Sequence, residues 1–410
     1  MTMPDASSLD LPVSRFLADH PASRTVLAEL GVAASADAEF MASAAPFLSM
    51  GSLLTLNGLS ATLFLAAVDA AGRSAKGPGG MTPLFCDGWT PGGPGLRLFL
   101  SLPCPLKAPM GIALENLRDS LTPDAPWPRM FMDSCGKHTL NDLAAGLTRP
   151  EEVPDMVVSA GLNGFLSKSF RDRFAGGGLL AELPQAMHPA LAAAGLADPR
   201  RVCRIYAVNP LVLVAVPSRL NGLPVPRSFE DLLNPAYAGK IGLCGPPETA
   251  GDSTLLLDIR LRHGLSAVAD LGRAMLCDTH PAQIFRPAPG AKAPPIGVMP
   301  AFFANAAPRQ GDVEIIWPDG GALASPLFVM VKETAKAALD PLLDFFLGKE
   351  TAAIAAGAAL PPTLPGADAS LPPGASVRFL GWDVLESQDL GPLIAESGAA
   401  FAKAYYSREG

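Results

Sequence analysis

The stretch Leu96-Arg97-Leu98-Phe99-Leu100 is a short apolar run, and residues 110–121 after it carry apolar side chains at helical spacing. The same order returns with Arg129-Met130-Phe131-Met132 and again with Asp155-Met156-Val157-Val158-Ser159. Consecutive strand, loop and helix units place their strands parallel, with the helices as crossovers. Residues 96–159 therefore predict an α/β domain.

A second region of the same kind begins with the long apolar run from Ile205 to Val216. Loops at the carboxyl ends of parallel strands face one crevice, so we expect a ligand site at these ends. The other predicted strands are residues 240–243, 296–299, 313–317 and 324–331, and the predicted helices are residues 228–233, 252–261 and 338–347.

The chain before these regions has a different composition. Apolar residues at helical spacing run from Leu9 to Ala71, whereas Gly and Pro dominate from Gly72 to Gly95. We expect a small helical domain over residues 1–72, a Gly/Pro-rich linker over residues 73–95, and one α/β domain with two regions over residues 96–410.

The segment from Phe40 to Val68 carries no charged residue and is long enough to cross a bilayer. Pro46, Gly51 and the turn-like pair Asn57-Gly58 divide it into shorter pieces. Two short buried helices are the favoured interpretation, and a membrane span is the alternative.

Charge and motif content exclude several functions. The 410 residues include 31 Lys+Arg and 39 Asp+Glu, a formal net charge of −8, without a basic run. Because binding to a phosphate backbone needs clustered positive charge, nucleic acid is not expected as a partner. The sequence has no Walker A, G-x-G-x-x-G, H-E-x-x-H or G-x-S-x-G motif, so a nucleotide cofactor is not expected either.

The first residues lack the basic start and apolar run of an export signal. The six cysteines have no C-x-x-C spacing, which is typical of thiols in a reducing compartment. We therefore expect a cytoplasmic protein, or a periplasmic one if the N-terminus is incomplete.

Residues 203–355 resemble the type II periplasmic substrate-binding proteins of ABC transporters, a group that includes ferric-ion and polyamine binders. Three segments carry this resemblance, and the units from residue 96 fit the first lobe of the same fold. The segments are residues 226–241, which include Phe229-Glu230-Asp231-Leu232-Leu233-Asn234-Pro235, residues 317–328, which begin Trp317-Pro318-Asp319-Gly320-Gly321, and residues 344–350.

The resemblance implies a two-lobed α/β fold with a hinge. Lobe 1 would hold about residues 96–202 and 310–410, and lobe 2 about residues 203–309, with crossings near residues 200–206 and 304–312. The implied function is capture of a metal ion, an oxyanion or a small organic solute between the lobes, with an ABC permease as a partner. We expect a monomer without enzymatic activity.

Residues 9–70 resemble a small helical domain of unknown function that is often fused to redox proteins of anaerobes. His20-Pro21, residues 27–31 and residues 53–70 carry the likeness. Members of that group often bear cysteines, whereas this segment has none before Cys86.

One departure bears on the ligand. Ferric-ion binders usually carry adjacent tyrosines in the segment equivalent to residues 296–304, and this sequence has Phe302-Phe303 there. A phenyl ring cannot ligate iron, so this pair is interpreted either as an aromatic wall of the crevice or as core.

Cys104 and Cys135 follow the first two predicted strands, so both thiols are candidates to face the crevice. With His138 or His280 they would suit a soft or borderline metal, and the proposed metal set is Cys104, Cys135 and His280. Two small buried thiols are the alternative interpretation. A Cys135 thiolate beside His138 as a base is a further alternative, which would make the chain an enzyme.

Predicted helix starts supply the other candidate ligand groups, because backbone N–H groups at a helix N-terminus bind anions. Ordinary capping by these side chains is the alternative. The candidates are Ser134 with its neighbours to Lys137, Ser159 and Asn163, and Thr249, Asp252 and Ser253.

The sequence thus favours a solute-binding protein of the ABC-transporter type. A cytoplasmic ligand sensor, a metallochaperone and a cysteine-dependent enzyme on the same fold stay open as alternatives.

Overall fold

The chain divides into two units in the computed structural model. The first unit comprises Met1–Cys86, Pro103–Ala125 and Ala306–Pro308, and the second comprises Asp87–Leu102, Pro126–Asn305 and Arg309–Gly410. The domain boundaries expected from the sequence stay predictions. The structure describes residues 6–29, 32, 41–42, 45–56, 59, 61, 64–65, 68, 85–86, 93–122, 124–132, 137–243, 253–278, 284, 293–305 and 313–407.

Short helices of the first unit pack around an apolar core that includes Phe16, Leu27, Leu53 and Phe64. In the uncharged segment, Met50–Leu56 form a helix in which Leu53 and Leu54 are buried. No described helix is both long and apolar enough to cross a membrane. The elements are the 3-10 helix Ala6–Asp10, α1 (Val13–Asp19), α2 (Ser23–Glu29), α3 (Met50–Leu56) and the strand β1 (Phe85–Cys86).

Helix α4 (Cys104–Ser120) belongs to the first unit, although the strand before it belongs to the second. Ala108 of α4 packs against the apolar core formed by residues 9–68. The predicted start at residue 110 is wrong, because the helix begins at Cys104. Pro105 lies in its first turn, where the missing N–H costs no hydrogen bond.

Two sets of parallel strands form the ends of the sheet in the second unit, which confirms the predicted α/β class. The first set is β2 (Arg97–Leu100), β3 (Arg129–Met132) and β4 (Met156–Ala160). Two long strands, β5 (Arg204–Ala215) and β10 (Ala322–Val331), are antiparallel to each other. The second set is β6 (Ile241–Leu243), β7 (Met275–Asp278) and β8 (Ile296–Pro300).

The long strands lie between the two sets, in the order β3-β2-β4-β10-β5-β8-β6-β7. We call the part built on the first set the first half, and the part built on the second set the second half. The short strands β9 (Glu314–Ile316) and β11 (Val377–Arg378) pair with β5 and β10 respectively.

The register shows where the long strands pass from one half to the other. Residues 327–331 of β10 pair with residues 156–160 of β4 in the first half, and residues 211–215 of β5 pair with residues 296–300 of β8 in the second. Between these segments, Asn209 lies opposite Ser325 and Pro210 lies opposite Ala324. Residues 208–210 and 324–326 therefore form the crossing between the halves.

Helices cover the sheet of the second unit. They are α5 (Lys137–Gly146), α6 (Lys168–Phe174), α7 (Pro189–Ala192), α8 (Ser253–His263), α9 (Leu265–Ala274), α10 (Ala301–Asn305), α11 (Glu333–Lys336), α12 (Asp340–Leu347), α13 (Lys349–Gly357), α14 (Trp382–Ser387) and α15 (Leu390–Tyr406). Short 3-10 helices span Pro150–Glu152, Gly164–Leu166, Pro217–Arg219, Glu230–Leu233, Pro235–Tyr237 and Ala337–Leu339.

The last two helices contact different halves. Glu386 of α14 accepts a hydrogen bond from Arg171 of α6 in the first half, at 3.0 Å. Helix α15 packs on α8 and α9 in the second half, where Arg260 pairs with Glu396 at 2.6 Å. Only Gln388 and Asp389 join the two helices.

Candidate functional site

The end of β4 turns sharply into the segment Ser159 to Asn163. Gly161 has φ +84°, and its N–H donates to the Pro326 carbonyl at 2.8 Å. Ser159 is fully buried, and Asn163 is also buried. This segment therefore lies against the crossing of the long strands, at the carboxyl end of a parallel strand.

The Asn163 side chain holds this turn together. Its Nδ2 donates to Ser159 Oγ at 2.9 Å and to the Ala160 carbonyl at 3.1 Å, and its Oδ1 accepts from the Phe165 N–H at 3.1 Å. Asn163 is thus the N-cap of the 3-10 helix Gly164–Leu166. Ser159 and Asn163 stay predicted ligand-binding residues, and both side chains form hydrogen bonds within the protein.

Asn209 and Ser325 are further candidate site residues, which the sequence pattern did not indicate. They face each other across β5 and β10, so both side chains project from the same face of the sheet. Ser325 is buried, and its Oγ is the atom nearest to a Cβ built on Gly161, at 3.7 Å. The available signal was a polar residue followed by Pro inside each long apolar run, Asn209-Pro210 and Ser325-Pro326.

Two aromatic rings follow the carboxyl end of β8. Phe302 and Phe303 lie in the short helix α10, are half-buried, and contact each other edge to face with ring centroids 5.2 Å apart. Pro300, two residues before Phe302, pairs with Leu211 of β5. The aromatic pair is therefore close in the fold to the crossing at Asn209.

Ser253 is half-buried at the first position of α8. Helix α8 packs against β10 and contributes Leu255 and Leu256 to the core of the second half. The other predicted residues of this helix start, Thr249 and Asp252, lie outside the described residues, as does His280.

The predicted thiol and metal set is not assembled by the described residues. Cys104 is half-buried at the start of α4 in the first unit. Ser134 and Cys135 lie outside the described residues, and for His138 only the backbone, in α5, is described. No cluster of three His, Cys, Asp or Glu side chains occurs in the described ranges. The set Cys104, Cys135 and His280 stays a prediction.

Burial affects two polar side chains at the start of β5, Cys203 just before the strand and Tyr206 within it. The Tyr206 hydroxyl is buried without a hydrogen-bond partner among the described residues, and this burial raises its pKa. Burial, together with Asp198, raises the pKa of the Cys203 thiol well above its usual value. Since the thiolate is the nucleophile, Cys203 is kept unreactive.

A two-part mixed sheet with a polar crossing at its centre defines a ligand-binding protein of the type II periplasmic fold. The family model described as "Bacterial extracellular solute-binding protein" matches residues 151–388, more than half of the chain. The chain belongs to this family of extracellular solute-binding proteins. Proteins of the family bind small ligands and deliver them to ABC permeases.

Solved structures support the fold. An iron- and citrate-bound FutA from Trichodesmium aligns with a TM-score of 0.51 at 15% identity, covering 75% of this chain and 98% of that one. Iron-bound HitA from Pseudomonas aeruginosa gives 0.50 at 14% identity, covering 77% and 99%. A putative spermidine/putrescine ABC transporter protein from Listeria monocytogenes gives 0.50 at 12% identity, covering 76% and 99%. No curated protein matches the chain.

The expected cytoplasmic location is wrong. It rested on the first residues and on the cysteine spacing, whereas the family match identifies an extracellular solute-binding protein. Cysteine spacing reports on disulfide frameworks in small domains, and a large α/β core does not need them.

Proposed function

We propose that the chain captures a small polar solute in a crevice of the second unit and closes around it about the crossing of β5 and β10. The observation that carries this proposal is the change of strand partners at residues 208–210 and 324–326. β10 pairs with β4 of the first half at residues 327–331, and β5 pairs with β8 of the second half at residues 211–215. Between these segments the two long strands pair with each other. Rotation at the crossing would thus open or close the space between the ends of β4 and β8.

The described residues around this space favour an uncharged polar ligand. The turn Ser159 to Asn163, the crossing residues Asn209 and Ser325, and the α10 residues Phe302 and Phe303 bring no charged side chain. A bare cation would need carboxylate, imidazole or thiolate ligands, and a polyamine would need carboxylates. Serine, asparagine and backbone groups instead hydrogen-bond a neutral solute.

Delivery of the solute to an ABC permease completes the proposed role. Binding that stabilises the closed state supplies the signal for delivery, so no catalytic group is required. We propose that the protein acts as a monomer with no enzymatic activity and no nucleic acid partner, which agrees with its net charge of −8.

The function is tested by a thermal-shift screen of the full chain, followed by calorimetry and small-angle X-ray scattering. The screen includes neutral polyols and sugars, small carboxylates, spermidine, ferric ion and ferric citrate. Ferric citrate belongs there because the Trichodesmium protein was solved with iron and citrate. We expect one class to raise the unfolding temperature and to reduce the radius of gyration.

A covalent cross-link between the two sides of the crevice serves as the matched control. Cysteines introduced at the half-buried positions Ala160 and Phe302, in a variant whose six native cysteines are replaced by serine or alanine, would be joined by a bifunctional thiol reagent and hold the two sides of the crevice together. We expect the locked protein to lose the ligand-dependent change in scattering. A protein that no solute stabilises, or that binds without becoming more compact, would contradict the proposed function.

A further inference from the structure

We infer that Asn209 is a specificity-determining residue that selects a solute presenting a hydroxyl group, of the polyol or sugar class. This inference rests on the proposed function and names the ligand of the same site. It is carried by the side-chain oxygen of Asn209 and by its position at the crossing of the long strands.

Asn209 Oδ1 is buried and accepts no hydrogen bond from the part of the chain that the structure describes. An acceptor removed from water without a partner destabilises a fold, and most such atoms in native proteins are paired. Asn163, by contrast, engages both ends of its amide within the protein. Among the two described asparagines of the site, Asn209 therefore has an acceptor available for a ligand.

The position of Asn209 makes a ligand the fitting partner. Ser325 lies directly opposite on β10, and Gly161 at the end of β4 approaches Ser325 from the first half. On the other side, Leu211 of β5 pairs with Pro300, which leads into the aromatic pair Phe302 and Phe303. Asn209 thus stands where groups of both halves converge.

The chemistry of these neighbours limits the chemical class of the ligand. An acceptor oxygen needs a donor, and a hydroxyl or an ammonium group can supply it. An ammonium would be taken from water without a carboxylate among the described residues of the site, which is costly. A hydroxyl group carries no such cost. The half-buried rings of Phe302 and Phe303 add apolar surface suited to the C–H face of a polyol or sugar.

The experiment compares two substitutions of the same residue in the full chain. The probes are neutral polyols and aldoses, each with its deoxy analogue, measured by calorimetry. Asn209→Asp keeps an acceptor of the same shape, whereas Asn209→Leu removes it. Asn116→Leu, at an exposed position of α4 in the first unit, is the matched control.

We expect the unaltered protein to bind a hydroxylated probe about tenfold or more tightly than its deoxy analogue, since loss of the hydroxyl leaves the acceptor unpaired. Asn209→Leu should abolish this preference, and Asn209→Asp should keep it within about threefold. Asn209→Leu should also leave the unfolding temperature of the ligand-free protein unchanged or higher, because an unpaired acceptor is removed. Asn116→Leu should keep the preference.

Three results would overturn the inference. One is tight binding of spermidine, ferric ion or a carboxylate with no polyol or sugar bound, which would leave the proposed function intact. The second is a hydroxyl preference that survives in Asn209→Leu. The third is loss of the preference in Asn209→Asp with the fold intact, because Nδ2 rather than Oδ1 would then be the contact.

Discussion

Arg171 is a fully buried cation on the first-half helix α6, and its partners lie far away in the sequence. Its guanidinium donates to Asp198 at 2.7 Å and to Glu386 at 3.0 Å, and lies over the Trp382 ring at 4.7 Å. Burial opposes this charge, but Asp198 and Glu386 together raise the Arg171 pKa. Asp198 also accepts from the N–H groups of residues 202 and 203, so the pair fixes the chain as it enters β5.

Replacing Arg171 with Leu leaves the Asp198 carboxylate buried without its cation, and we expect a loss of about 3–5 kcal/mol of stability. Urea unfolding at neutral pH measures this change. Lys168→Met on the same helix removes an exposed pair with Asp172 and should cost at most about 1 kcal/mol. Equal losses in the two variants would contradict the assignment of Arg171 as a buried anchor.

Glu152, in the 3-10 helix before β4, makes a pH-dependent contribution to the stability of the folded protein. The backbone N–H of Thr148 donates to its carboxylate at 2.8 Å, Arg149 adds side-chain and backbone bonds, and the Glu152 pKa falls from 4.5 to about 2. A lowered pKa in the folded state stabilises the protein above the unfolded value of 4.5, and this contribution disappears as the pH falls toward 2.

We therefore expect Glu152→Gln to lower the unfolding temperature at neutral pH, with the difference from the unaltered protein shrinking as the solution is acidified below the unfolded-state pKa. Calorimetry across this range measures it. Glu151→Gln, which removes an exposed carboxylate 3.5 Å from Arg149, serves as the control and should change little. A Glu152→Gln difference that is independent of pH would refute the assignment.

At the level of elements, α9 and α15 approach closely where Gly272 faces the C-terminal helix. A Cβ at this position would lie 2.5 Å from the Phe401 carbonyl oxygen and 3.2 Å from Ala404 Cβ. Phe401 and Leu271 belong to the core of the second half. The glycine thus permits the contact that attaches the chain end to this half.

Gly272→Ala should force these helices apart and destabilise the protein by about 1–3 kcal/mol. Gly357→Ala is the matched control, since nothing lies within 4 Å of its Cβ position at the end of α13. Alanine there should raise stability by about 0.5–1 kcal/mol. Chemical denaturation measures the free energy of unfolding of both variants. A Gly272→Ala variant as stable as the unaltered protein would contradict the close contact between α9 and α15.

Elements with strong local signals were predictable from the sequence. The parallel strands β2, β3 and β4 were expected from apolar runs separated by turns, and they are confirmed. Helix α9 was missed because it starts after Gly264, at φ +84°, with no capping side chain. Strand β7 was missed because it follows α9 directly, without a turn residue between them.

The candidate site was predictable only in part, for a related reason. Ser159, Asn163, Phe302 and Phe303 follow strands, so their position could be inferred from local pattern. Asn209 and Ser325 lie inside strands, and only the register of β5 against β10 brings them together. Strand direction and register depend on contacts between distant residues, which periodicity does not record.

At the scale of the whole second unit, the C-terminal segment is a third connection between the halves. Helix α14 is held on the first half by Arg171 and by Arg200, which pairs with Glu386 at 2.9 Å. Helix α15 is held on the second half, two residues later. Such a short connection limits how far the halves can separate.

Lengthening this connection by a Gly-Ser-Gly-Ser insertion between Gln388 and Asp389 should make the ligand-free protein more open. Scattering should then give a larger radius of gyration without ligand and the same value with ligand. The apparent affinity should fall on the order of threefold to tenfold, because a smaller fraction is ready to close. The same insertion after Gly366, in a surface turn of the second unit, is the control. An unchanged radius of gyration in the ligand-free variant with the insertion after Gln388 would contradict the proposal that this short connection limits the separation of the halves.

Helix α4 has a consequence for how this chain can be divided. It lies between two strands of the solute-binding sheet in the sequence, yet Ala108 packs on the core of residues 9–68. Trimming the chain to its transport part would uncover this helix, and we would expect the shortened product to be recovered from cells as insoluble material. The N-terminal helices therefore cannot be removed without exposing an apolar surface of α4. A gene that lost them would need substitutions in α4 that make this surface polar.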